Sequence, residues 1–114
     1  MKLHILRSVE ARARGVIGKD AIGDDELFVF PDTYEGMEFH MQTVPFDIKI
    51  AFLDCDYGIL AIDHMAAHTG RACAPHKSVM AIEAAPDYFE RHGLKADDVS
   101  VWEAIANRAM RGEL

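Results

Sequence analysis

Between residues 46 and 53 the chain alternates without a break: Phe46, Ile48, Ile50 and Phe52 fall on one side, Asp47, Lys49, Ala51 and Leu53 on the other. A period of two belongs to a strand, whose successive side chains point to opposite faces. The turn-forming cluster Asp54, Cys55, Asp56, Tyr57 and Gly58 comes next, followed by a second apolar run over 59–62. This pattern predicts a β-hairpin at the centre of the fold. The run ELFVF at 26–30 is apolar on both faces and stops at Pro31, which predicts a short buried strand. Weaker patterns place further strands at 3–6, 37–43, 78–84 and 98–101.

Helical spacing appears in three places. Ser8 is a good N-cap, and Val9, Ala13, Val16 and Ile17 follow at i, i+4, i+7 and i+8, so a helix is predicted over 8–17, ending near Gly18. Pro86, Asp87 and Gly93 frame a short helix over 86–92. Trp102, Ile105, Ala106, Ala109 and Met110 form one apolar stripe on a helix over 102–111. Between the hairpin and the strand at 78–84, the stretch 63–77 is broken by Gly70 and Pro75 and is predicted to be a long loop, or a loop holding one helical turn. Together these elements predict a single α+β domain over 1–114. It is β-rich, with a mostly antiparallel sheet curled towards a small barrel and two or three short helices.

Composition narrows the function classes. Half of the 114 residues are hydrophobic, enough for one self-sufficient core. Nineteen acidic against twelve basic residues give a formal net charge of −7, which opposes a phosphate backbone and argues against nucleic acid as a partner. No apolar run has the length of a signal segment or membrane span, so a cytoplasmic protein without membrane contact is expected. Cys55 and Cys73 are expected to be free thiols.

Two constellations carry candidate chemistry. His64 and His68, four residues apart, would share one face of a helical turn. With Cys73 and His76 they offer imidazoles and a thiolate suited to zinc, nickel or copper. Met65 stands where a zinc protease has its general-base glutamate, so hydrolysis of that kind is not expected. The second constellation is polar: Asp47 with His40, Gln42 and Thr43 could line a groove on the sheet for a small molecule or a peptide. Glu83 could join them or fix a neighbouring backbone. The plainer reading of Asp47 pairs it with Lys49, two residues on. No phosphate loop, nucleophile elbow or C-x-x-C pair is present, and no third group orients Cys73 with His76 as a nucleophile and base. A non-enzymatic binding domain is therefore the leading expectation, without a required cofactor. A transition-metal protein and an enzyme using the same groove stand as alternatives, and a homo-oligomer is left open.

Several short segments, taken in order, resemble the family called domain of unknown function 192. Arg14, Gly15, Val16, Ile17 and Gly18 resemble its R-x-x-G-L-M-x-R segment, and Leu27, Phe28, Val29 and Phe30 its L-F-V-F strand. The densest match is Phe39, His40 and Met41, then Thr43, Pro45, Phe46, Asp47 and Ile48, then Phe52, Leu53 and Asp54, similar to F-W-M-x-N-T-x-x-P-L-D-I and F-L-D. Ile82 and Glu83 resemble an L-E pair, and Gly93, Leu94, Asp98 and Val99 a closing G-L-x-x-G-D-x-V. The similarity covers about 9–101 and leaves the helix over 102–111 outside it. His40 stands where the family usually has tryptophan. The resemblance implies a compact β-rich fold with small helices, and no reaction.

Overall fold

The strands sort into a sheet and a separate ribbon. The computed structural model describes residues 2–6 and 16–94. Along the chain come β1 (Lys2–Ile5), β2 (Glu26–Phe30), β3 (Glu38–His40), β4 (Ile48–Leu53), β5 (Ile59–Met65), β6 (Arg71–Cys73), β7 (Met80–Ala84) and a single helical turn, α1 (Tyr88–Arg91). Five strands form one sheet in the order β1-β2-β7-β4-β5, while β3 and β6 pair only with each other. The β1–β2 pair is parallel and the other three pairs of the sheet are antiparallel, so the sheet is mixed.

The alternating segment becomes β4, flanked by β7 and β5, and the hairpin into β5 forms as predicted. Alternation suggested one solvated face, yet Ile50, Phe52, Ala51 and Leu53 are all buried. The sheet is covered on both sides. One face holds Leu27, Val29, Ala51, Leu53, Ile82 and Ala84 under Ala85, Tyr88, Phe89 and Leu94. The other holds Phe28, Phe30, Ile48, Ile50, Phe52 and Ala81, together with the ribbon's Phe39 and Ala72 and with Met41, Leu6, Val16 and Val44. Each large side chain fully withdrawn from water contributes roughly 1.5–3 kcal/mol. Phe39 anchors the ribbon: its ring meets Phe30 edge-on at 5.1 Å and Phe52 at 5.8 Å. Both of those residues are in register with Ala81, whose small side chain leaves room between them.

Two further expectations are corrected. The sheet does not close into a barrel: it is open, with β1 and β5 at its edges. Instead of running on to meet β1, the chain reverses after β5 and enters β6. His68 takes a left-handed φ of 64° in that reversal, and Gly70 donates its N–H to Ala66 O at 2.8 Å. A Cβ at Gly70 would collide with the backbone of Met65 and Ala66, so only glycine fits. The stretch 63–77 is thus not one long loop, since it contains the end of β5 and all of β6. Of the predicted helices, that over 86–92 is present as α1, which ends at Gly93 with φ +65°. The helix over 102–111, the strand over 98–101 and most of the helix over 8–17 lie outside the described residues; 16–18 form a turn. Among the described residues no helix is long and apolar enough to cross a membrane.

Candidate ligand-binding site

The ribbon's register builds the site. Glu38 lies opposite Cys73, Phe39 opposite Ala72 and His40 opposite Arg71. Backbone bonds from Ala74 N–H to Met37 O and from Met41 N–H to Gly70 O, at 2.9 and 3.1 Å, mark the hydrogen-bonded positions of this ladder. By alternation, 39/72 is also a bonded pair, whereas 38/73 and 40/71 are the non-bonded pairs whose side chains stand closest together. Phe39 and Ala72 point into the core, and Glu38, His40, Arg71 and Cys73 are exposed. These six residues line a surface cleft of about 200 Å³.

The cleft has two chemically different ends. At one, Arg71 has no ion-pair partner among the described residues, and beside it His40 Nδ1 accepts a long 3.4 Å bond from Gln42 N–H. That bond leaves Nε2 of the neutral ring as a donor, so two donors meet there. At the other end Glu38 supplies an acceptor next to the Cys73 thiol.

The remaining groove residues disperse. Gln42 and Thr43 occupy the turn after β3, closed by Val44 N–H donating to Met41 O at 2.9 Å. Gln42 O lies 3.4 Å from His68 Nδ1. Asp47 does not pair with Lys49: its Oδ1 accepts from Ala67 N–H at 2.8 Å, and its Oδ2 lies 3.3 Å from His64 Nε2. Asp47 therefore ties the start of β4 to the β5–β6 reversal. Glu83 lies on no groove. It sits on β7 in register with Phe28 and Ile50, on the face the ribbon covers, and its Oε1 has no hydrogen-bond partner among the described residues. Burial pushes its carboxyl up to about 8.

The four candidate metal ligands are not gathered. His64 is on a strand and His68 is in the left-handed turn, so the i, i+4 alignment of a helix does not arise. Cys73 points into the cleft, and His76 Nδ1 lies 3.3 Å from Glu35 Oε1. Among the described residues no group of three or more His, Cys, Asp or Glu side chains is placed to hold a metal ion.

Two cleft residues, Arg71 and Glu38, escaped the sequence reading because β6 shows only three residues, R-A-C, with a single alanine as its apolar signal. Also unforeseen was Glu26. This buried carboxylate receives Gly23 N–H at 3.0 Å, His4 Nε2 at 2.7 Å and Lys19 Nζ at 3.2 Å, with Lys2 Nζ at 3.8 Å. Burial pushes its carboxyl up, but these partners outweigh it and hold the group down at about 2.

The DUF192 family model, described as Uncharacterized ACR, matches residues 1–102. No curated protein matches the chain. A solved structure of a protein of unknown function from Novosphingobium aromaticivorans is similar with a TM-score of 0.74 and 20% identity, over 85% of this chain and 71% of that one. A candidate transcription regulator from Sinorhizobium meliloti is similar with a TM-score of 0.74 and 15% identity, over 85% of this chain and 78% of its own. At these identities the likeness is one of fold. The chain belongs to the DUF192 family and is a single β-rich domain.

Proposed function

We propose that this DUF192 protein is a small non-enzymatic binding domain whose ligand lies in the ribbon cleft and carries a carboxylate or similar anionic group. The observation that supports this reading is the His40–Arg71 pair. A non-bonded register position sets two donors side by side on an exposed face, and the guanidinium forms no ion pair among the described residues. Arginine's planar fork matches a carboxylate bidentately, which makes such a pair selective for a planar anion. Glu38 at the far end favours a ligand that also bears a donor. Gln42 and Thr43, on the adjoining turn, extend the polar surface for a longer ligand such as a short peptide.

A thermal-shift screen against carboxylate-bearing metabolites and short peptides tests this, since a ligand that binds only the folded state raises the melting temperature. Hits are expected among anionic compounds, and their shift should vanish in R71A and shrink in H40A. A hit that stabilises the R71A/H40A double variant as much as the wild type would place the site elsewhere.

A further inference from the structure

One transverse row of the sheet carries ionisable side chains on alternate strands. From β1 to β5, His4, Phe28, Glu83, Ile50 and Asp63 are in register and so share a face. That is the face on which the ribbon rests. Two residues before Glu83 on β7 is Ala81, whose row partners Phe30 and Phe52 hold the ribbon's anchor Phe39. The acid therefore lies one strand repeat, about 7 Å, from the anchor's seat.

The surroundings leave Glu83 alone among the described residues. From β1 it faces His4, whose Nε2 is held by Glu26 at 2.7 Å. From β2 it faces Glu26 itself, and from the loop before β2 Lys19, which is bound to Glu26 at 3.2 Å and lies 5.7 Å from the Phe28 ring. β4 presents only Ile48, Ile50 and Phe52, and the ribbon's inner side only Phe39 and Ala72. On β5 Asp63, two strands or about 10 Å away, carries the same charge. Among the described residues the nearby cations, His4, Lys19 and Lys2, are committed to Glu26, and the remaining neighbours are apolar or repulsive. An ionised carboxylate in this place must reach water or disrupt what buries it.

The covering elements differ in how firmly they are held. β7 is bonded along both edges, to β2 and to β4, whereas β3 and β6 share no ladder with the sheet and bond only to each other. The ribbon can therefore open without breaking a ladder of the sheet. We propose that Glu83 is a proton-operated latch for the β3–β6 ribbon: the ribbon seats on the sheet while Glu83 keeps its proton and lifts when the proton is lost. The latch does not depend on the ligand reading.

Hydrogen exchange on the full chain, corrected for the intrinsic pH dependence of amide exchange, tests the latch. The reporters are Phe39 and Ala72 in the ribbon, with Ile82 and Ala51 in the sheet as reference. With Glu83 held near 8 when closed and near its ordinary value when open, ribbon opening should rise about tenfold per pH unit between pH 6 and 8 and then level off; the sheet reporters, which open only on global unfolding, should follow the same slope from a much smaller opening constant. In E83Q the ribbon profile should be flat. Opening that is independent of pH in the wild type, ribbon and sheet reporters with the same opening constant at every pH, or an undiminished slope in E83Q would each overturn the proposal. Should E83Q not fold, E83L takes its place, with the same flat ribbon profile expected.

Discussion

Two glutamates of this protein expose equally little surface, 6% for Glu26 and 5% for Glu83, yet Glu83 lies far deeper and the two are held in opposite charge states. Glu26 opens β2 near the sheet's edge, within reach of a backbone N–H, a histidine and a lysine, and is kept ionised. Glu83 lies in the middle of β7 between Phe28 and Ile50 and is kept neutral. Burial pushes both carboxyls up, and partners decide whether that push survives. The sheet thus contains one locked charge at its edge and one suppressed charge at its centre.

The signs of the two linkages follow. Glu26, depressed to about 2 in the folded state against about 4.5 when unfolded, contributes stability that is present above pH 4.5 and lost as pH falls towards 2. For Glu83 the folded value is the higher one, about 8. The folded state then holds the extra proton, and stability declines as pH rises from 4.5 to 8. These two groups alone place the stability maximum near pH 4.5, with a descent on the alkaline side of at most about 5 kcal/mol.

The largest expected effect breaks the comparison at its neutral end. E83Q removes the ionisation and should gain roughly 2–4 kcal/mol over the wild type at pH 9, but less than about 1 kcal/mol at pH 5, in chemical denaturation at the two pH values. The gain stays below the full alkaline descent because the amide is still a buried polar group. Breaking the other end, E26Q should lose about 2–3 kcal/mol at pH 7, and its stability should converge on that of the wild type as pH falls to 2. A milder cut at the same place is K19M, which strips one partly exposed cation from Glu26. Because Lys19 is 33% exposed, the loss should be about 1 kcal/mol, accompanied by a rise in the acid midpoint.

The smallest effect sharpens the contrast. Asp47 has partners of the same kinds as Glu26, a backbone N–H and a histidine, but is 48% exposed. D47A should cost only about 0.5–1 kcal/mol, since solvent screens what burial would amplify. A loss from D47A as large as that from E26Q would show that burial does not set the scale.

How much of this was legible depends on signal length. The strand over 46–53, its hairpin and the buried ELFVF strand were predictable because alternation, turn residues and Pro31 agree with one another. Strand β6 was hidden because three residues with one inward alanine give no periodicity, and the break at Gly70 reads as a loop until the reversal after β5 is seen to require it. The ribbon then diverts the sheet from closure, which no local pattern encodes. Of the residues that line the cleft, His40 is legible as a polar strand position, whereas Arg71 and Glu38 are not, because the cleft exists only through the β3–β6 register. Glu83 reads as a strand carboxylate, but the sequence does not encode that both faces of its sheet are covered. Its isolation is a tertiary fact, as is the gathering of His4, Lys19 and Gly23 on Glu26 from separate segments.

The most direct test is an NMR titration of the glutamate side-chain carboxyl carbons from pH 2 to 9.5, with Glu26 and Glu83 assigned by E26Q and E83Q. The Glu26 resonance should titrate near pH 2 and that of Glu83 near pH 8, so that between those limits one is ionised and the other neutral in the same folded molecule. Midpoints for both between about 4 and 5 would contradict it.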